Sequence, residues 1–293
     1  MPSSSTKSSR TGRAVVTDNF DPESDLKARV RDHWDREPCG TRSLVSDDPS
    51  ERLREAEEYR YETEPHIPAF ARFSESAGLH VLEIGVGAGT DFVQWVRNGA
   101  SVVGVDISPS SLAEARSRVE AEGLSGGELM VADAEQLDFA DETFDVVYSY
   151  GVLHHLPDTP GAIREVHRVL KPGGEARMMI YHLPSWTGLL LWAIYGAAKL
   201  RPWLTPRQAI FDHLESPGTK AYTLAEARRL LTDFADVELS VDLQPADLLA
   251  MPASDKYQGR VARVAWALYP RWFIRRFGRR LGLALLITAR KAG

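Results

Sequence analysis

The 293-residue chain has a single cysteine, Cys39. That excludes a disulfide framework and any zinc or iron–sulfur centre built from several thiolates, and it fits a reducing, cytoplasmic compartment. Long apolar runs are also missing. The longest, Trp186 to Leu200, covers 15 residues, short of the roughly 20 that a membrane span needs. No apolar stretch follows Lys7, Arg10 and Arg13 in the Ser-rich start. A secretory signal is therefore not expected, and residues 1–18 read as a disordered tail with some transit-peptide flavour. Finally, no acidic residue occurs after Asp255.

That last absence divides the chain electrically. The formal net charge is −6, from 35 basic and 41 acidic residues. The total argues against a nucleic-acid binder, but it combines +10 beyond residue 255 with −16 before it. The composition, 43% hydrophobic and 26% charged, is globular. Residues 19–76 read as a charged helical cap cut by Pro22, Pro38, Pro49, Pro65 and Pro68. From Leu79 onward short β-branched runs alternate with helical patterns. Strands are predicted at His80–Ile84, Ser101–Ile107, Glu128–Ala132, Phe144–Ser149 and Glu175–Tyr181, with helices at Thr90–Asn98, Ser110–Glu122 and Pro160–Leu170. The rhythm predicts an α/β fold, a mostly parallel sheet with helices on both faces. A helix at Leu224–Phe234 and strands at Asp236–Leu243 and Leu283–Arg290 follow. Residues 77–293 thus form one core, with lid insertions at about 183–221 and 245–281.

The most informative stretch is Val81-Leu82-Glu83-Ile84-Gly85-Val86-Gly87-Ala88-Gly89-Thr90, a strand running through a glycine-rich turn into a helix. Glycine lets the backbone take positive φ and approach a ligand closely. The dinucleotide fingerprint has its last glycine where Thr90 stands, which weakens a nicotinamide reading. Glu83 beside the loop repels a pyrophosphate but suits an ammonium or sulfonium group. Asp106 ends the next predicted strand, 21 residues past Gly85, where an acid accepts ribose hydroxyls.

At these residues the chain resembles the class I S-adenosylmethionine-dependent methyltransferases. Glu83 to Gly89 matches the family's first motif and Val105-Asp106-Ile107-Ser108 its second. Ala132-Asp133-Ala134-Glu135-Gln136-Leu137 matches the third, Phe144 to Val147 through Leu153-His154-His155-Leu156-Pro157-Asp158 the fourth, and Val169-Leu170-Lys171-Pro172-Gly173-Gly174 the turn before the fifth strand. The texture is closest to the small-molecule branch that includes the quinone-biosynthesis methyltransferases. The resemblance implies a Rossmann-like seven-stranded sheet whose last strand is antiparallel. It implies S-adenosylmethionine as cofactor, held by Glu83, Gly85, Val86, Gly87, Gly89, Asp106, Ile107, Asp133, Ala134, Tyr150 and Tyr59, with Asp133 meeting the adenine amine.

Motifs of the amino-methylating and cytosine-C5 DNA enzymes, of protein-arginine enzymes and of arsenite enzymes are absent. That leaves a small-molecule acceptor, whose O, N, C or S atom is open, in natural-product or quinone- and lipid-like metabolism. His154 and His155 follow the fourth strand and are the candidate bases, with His155 facing the pocket; the alternative is that they hold the loop. Tyr181 and His182 end the fifth strand on the same rim. A metal site at His154, His155 and Asp158 is not expected. Tyr59, Tyr61 and His66 either touch the methionine end and acceptor or pack a cap helix on the sheet, and His33-Trp34 is a lid element or helix packing. The basic, aromatic segment with Trp266, Tyr269, Trp272, Phe273 and Phe277 is expected to pair with the acidic remainder; the alternative is that it and the apolar helix at Trp186 suit an apolar or anionic acceptor, or peripheral membrane contact. A homodimer is compatible with all of this. The competing functions are a nicotinamide-dependent oxidoreductase on a related sheet and a non-catalytic member that binds cofactor or a partner.

Overall fold

The computed structural model describes residues 22–36, 49–216, 218–249 and 269–293. The tail at 1–18, Cys39, Trp266 and much of the second insertion lie outside these residues. Seven strands form one sheet: β1 (His80–Ile84), β2 (Ser101–Asp106), β3 (Glu128–Val131), β4 (Phe144–Tyr150), β5 (Leu170–Tyr181), β6 (Ala235–Asp242) and β7 (Ala284–Arg290). Their order is β3-β2-β1-β4-β5-β7-β6. β7 runs antiparallel to both neighbours, with Met179 opposite Leu286 and Leu239 opposite Ile287, while the β1–β5 pairings are parallel. The fifth strand begins at Leu170, before the predicted Glu175, because Leu170 already pairs with Phe144 and the register then shifts across Lys171–Gly174 to Val146 opposite Glu175.

The central strands are apolar on both faces, as strands sandwiched between helices must be. Leu82 and Ile84 of β1 point into a cluster with Val147, Ile163, Val166, Leu285 and Ile287. Val81 points the other way, into a cluster with Phe92, Trp95, Val102, Leu112 and Tyr148. Burying each such large side chain contributes about 1.5–3 kcal/mol relative to leaving it in water. The flanking helices include α1 (Pro22–Arg36), α2 (Pro49–Thr63), α3 (Ile67–Ala71), α4 (Thr90–Arg97), α5 (Pro109–Ala121) and α6 (Thr159–Val169). Ser108 caps α5 by accepting the Ser111 N–H, and Asp158 caps α6 by accepting the Gly161 N–H. Proline follows or directly enters each start, where its missing N–H costs nothing.

Between β5 and β6 lie α7 (Trp186–Tyr195), α8 (Pro206–His213) and α9 (Leu224–Leu230), and α10 (Arg271–Phe277) precedes β7. Asp247 ties these segments together. Its carboxylate accepts the Thr187 N–H at 3.0 Å, the Thr187 hydroxyl at 2.7 Å, the Gln244 N–H at 3.0 Å and the Leu283 N–H at 2.7 Å. The side chain is fully buried, and that burial pushes its carboxyl above the ordinary range despite the four donors. Truncation strands three buried backbone N–H groups at roughly 1–3 kcal/mol each. Asp247→Ala is therefore expected to destabilise the fold by about 3 kcal/mol or more, read as a lower urea midpoint; an unchanged midpoint refutes the hub.

Candidate functional site

The site is assembled where β1, β2, β4 and β5 end. Leaving β1, the chain must turn within a few residues to start α4. Gly85, Gly87 and Gly89 take φ of 81°, 54° and 80°, values that other residues adopt only with strain. Space forbids side chains as well: a Cβ on Gly85 meets Val152 Cγ2 at 2.1 Å, and one on Gly89 meets the Ala115 backbone at 2.8 Å. The loop is anchored by the Gly85 N–H donating to Val105 O at 2.7 Å. The start of α4 has no side-chain cap, which leaves N–H groups open toward the loop.

Asp106, at the end of β2, fixes the loop from the other side. Its Oδ2 accepts the Gly87 N–H and its Oδ1 the Ser108 N–H, both at 2.9 Å. Each oxygen keeps a further lone pair for a ligand. Burial pushes this carboxyl above its ordinary value, against the pull of those two N–H groups, and the Asp35 carboxylate acts in the same direction as burial. Glu83 is buried, the Trp95 indole is a polar neighbour, and Oε2 makes no hydrogen bond of normal geometry among the described residues. Burial, reinforced by Asp91, holds its carboxyl well above the ordinary range. An orphaned buried acceptor of this kind favours a cationic donor group. Val86 is buried under the loop and Ile107 half-buried beside it.

Beyond β3, Asp133 accepts the Glu135 N–H at 2.9 Å and pairs with Lys27 of α1 at 2.6 Å, while Lys27 also reaches Glu135. Ala134 is buried next to it. Lys27 was not singled out from the sequence. The same helix sets Asp35 against the Ser108 hydroxyl at 2.6 Å, and Trp34 edge-on to His155 with ring centroids 5.3 Å apart. So α1 crosses the strand ends from the third motif to the histidines. Trp34 faces the site rather than only packing within the cap.

The cap residues divide. Tyr61 donates to Asp91 Oδ1 at 3.0 Å, and Arg60 forks onto the same carboxylate; Tyr61 is thus a packing residue that seats α2 on α4. His66 Nε2 lies 2.7 Å from the Tyr150 hydroxyl, which also donates to Glu64 at 2.7 Å and receives Gln244 Nε2 at 3.0 Å. Burial lowers the His66 pKa. Tyr59 is half-buried on α2 and its side chain hydrogen-bonds to no site residue among those described.

His154 and His155 sit after β4, with ring centroids 4.2 Å apart. His155 Nδ1 lies 2.8 Å from Ser216 Oγ and 3.1 Å from Thr219 Oγ1, and its Nε2 faces Glu215 Oε2 at 3.4 Å. Tyr181 donates to the same Glu215 oxygen at 2.8 Å. Glu215, Ser216 and Thr219 went unnoticed in the sequence because nothing local marks them. Asp158 is turned away to cap α6, and Glu215 stands where a third metal ligand would. One ligand atom each from His154, His155 and Glu215 falls within 4.8 Å of the others. His182 is tied to the backbone before β7, its Nδ1 3.0 Å from Gly282 O.

Residues 82–178 match the model described as a methyltransferase domain. These residues are thus similar to methyltransferase domains. Over 109 residues it is 38% identical to Methyltransferase GfsG of Streptomyces halstedii, covering 36% of this chain and 39% of that one. Over 168 residues it is 31% identical to a ubiquinone biosynthesis O-methyltransferase of Rhizobium etli, covering 56% and 66%. The chain thus spans only about two fifths of the first of these relatives. In fold it is similar to the Haemonchus contortus phosphoethanolamine N-methyltransferase 2 solved with S-adenosyl-L-methionine, with a TM-score of 0.57 at 21% identity over 90% of this chain and 60% of that one.

His154 is fully buried, and neither ring nitrogen has a partner among the described residues. Burial holds its pKa well below the ordinary value, and the charges of His155 and Lys220 act the same way. In the unfolded chain it titrates near 6.5. Below about that pH the unfolded state takes up a proton that the folded state refuses, so stability falls as the medium is acidified. His154→Phe is expected to flatten the loss of stability between about pH 7 and pH 5, measured by urea unfolding at each pH; parallel curves refute this.

Proposed function

We propose that the protein transfers a methyl group from S-adenosylmethionine to a small-molecule acceptor. The observation that carries the reading is the glycine cradle clamped by Asp106, with a Glu83 carboxylate oxygen that makes no hydrogen bond of normal geometry among the described residues buried beside it. These residues fit the cofactor. Asp106 has lone pairs left for ribose hydroxyls, Glu83 answers an ammonium group, and the open start of α4 suits a carboxylate. Asp133, Ala134 and Ile107 would frame the adenine, and Lys27 closes α1 over that end. Residues 19–76 would then act as a cap, with Tyr59 only a part of it, and residues 77–293 as the catalytic core with two lids. A single cysteine and the absence of any described helix long and apolar enough to cross a membrane support a cytoplasmic site of action.

S-adenosylmethionine, when bound, supplies a methyl group already activated by its sulfonium charge. The chain's part is alignment and proton management. The acceptor would lie between Tyr150, Tyr181 and His155. A proton released by an oxygen, nitrogen or sulfur nucleophile would pass to His155, whose imidazolium is then balanced by Glu215 at 3.4 Å and oriented by Ser216. The Tyr150 hydroxyl, held by His66, Glu64 and Gln244, would form the opposite wall.

Charged hydrogen bonds contribute roughly 1.5–3 kcal/mol each. Asp106→Ala is thus expected to raise the S-adenosylmethionine Kd at least about ten-fold by calorimetry; unchanged binding removes the ribose assignment. His155→Ala is expected to lower methyl transfer about 100-fold while leaving cofactor Kd nearly unchanged. The assay follows S-adenosylhomocysteine release with phenol, amine and thiol acceptors. Cofactor binding without release from any acceptor would make the protein a non-catalytic member.

A further inference from the structure

Among the described residues, the basic final region is only partly paired with the acidic remainder. Arg279 pairs with Asp242 at 2.7 Å, Arg290 with Glu175 at 3.4 Å and Lys291 with Glu142 at 3.5 Å. Arg275, Arg276 and Arg280 are exposed and meet no carboxylate among the described residues. They stand on and just after α10, whose aromatic side chains are also in water. Trp272 is 75% exposed, Phe277 58% and Phe273 48%. The three rings gather on the surface, with Phe273 5.4 Å and Trp272 6.2 Å from Phe277, and the Arg276 guanidinium lies over Phe277 at 4.9 Å.

This patch is presented on a pinned helix. Ile274 is fully buried beneath it. Trp186 of α7 donates its indole N–H to Gly278 O at 3.0 Å, and Arg271 Nε donates to Leu248 O at 2.9 Å. The indole contact joins α10 to α7, the most apolar of the described helices, of which only Thr187 and Gly188 are buried. Its Leu190, Leu191, Trp192 and Ile194 are only half-covered, and Leu189 is exposed.

We propose that α10 and the adjoining α7 form a docking surface for an anionic phospholipid bilayer. The arginines supply charge complementary to lipid phosphates, and the aromatic cluster and α7 supply side chains suited to the acyl boundary. An acidic protein or a nucleic acid would also answer the arginines and rings; what favours a bilayer is that the apolar area continues onto α7, with Leu189 exposed and Leu190, Leu191, Trp192 and Ile194 half-covered. Arginine stems reach along the apolar surface while their heads stay at the phosphates. The surface stands apart from the methyl-transfer reading and needs no cofactor.

The test is cosedimentation of the full chain with vesicles of phosphatidylcholine, alone or mixed with phosphatidylglycerol. Binding is expected to favour the anionic vesicles at least about ten-fold and to weaken in roughly 0.5 M salt. Trp272→Ala/Phe273→Ala/Phe277→Ala and Arg275→Glu/Arg276→Glu should each reduce it about ten-fold or more. All of these side chains are solvent-exposed, and unchanged S-adenosylmethionine affinity or circular dichroism verifies that each variant is folded. Absence of vesicle binding, or binding that neither variant alters, overturns the proposal. So does a dimer, seen by sedimentation velocity without vesicle binding, that the aromatic variant dissolves, or an oligonucleotide complex that the arginine variant abolishes.

Discussion

The Asp106 carboxylate receives the Gly87 N–H through one oxygen and the Ser108 N–H through the other, and so joins the turn after β1 to the turn after β2. Both turns start helices, and the cradle exists only while they keep their separation. Ser108 then caps α5 and meets Asp35 of α1, so the same clamp carries the entry to a flanking helix and the seat of the cap. Holding a carboxylate where burial raises its pKa is unfavourable by itself. Two backbone donors offset that cost, and a bound polyol would add more. A site that is under-satisfied until its ligand arrives spends little binding energy on rearrangement.

A second constraint works at the acceptor end. Tyr150 takes hydrogen bonds from or to His66, Glu64 and Gln244, which come from the cap and from the segment after β6. Gln244 adjoins Asp247, which in turn holds α7 and the entry to β7. Tyr150 is thus connected through two buried polar side chains, Gln244 and Asp247, to α7 and the entry to β7. Such contiguity is spatial. It carries energy only if the connected elements have two arrangements.

The parts of this architecture legible in the sequence are those with a local cause. Gly85, Gly87 and Gly89 declare themselves because positive φ leaves few other choices, and Asp106 because strand length fixes its distance from them. The strands from β1 to β5 follow from runs of β-branched residues, and strand ends differ by only a few residues except at β5, where Leu170 pairs with Phe144 ahead of the turn. Lys27, Glu215 and Gln244 were not legible. Lys27 and Asp133 are 106 positions apart, and Gln244 and Tyr150 are 94. On a charged helix one lysine looks like another until the fold chooses its partner. Trp34 is the instructive intermediate: its residue type suggested a lid or packing, and only the crossing of α1 over the strand ends decided that it meets His155.

Charge segregation resolves in the same way. In the sequence, −16 facing +10 invites mutual neutralisation. In the fold, the basic residues that pair are those flanking or ending β7, where register brings Arg290 to Glu175 and the turn before the strand brings Arg279 to Asp242. Neutralisation there follows strand pairing. α10 has no such neighbour: its single buried residue, Ile274, fixes its orientation and sends Arg275 and Arg276 outward. Exposed arginines alone would be ordinary. Three exposed aromatic rings among them are not, because each forgoes burial worth about 1.5–3 kcal/mol. The helix is held in that orientation by Trp186 and Arg271, so the exposure is built into the fold, and the partner that removes it must offer negative charge and an apolar phase side by side.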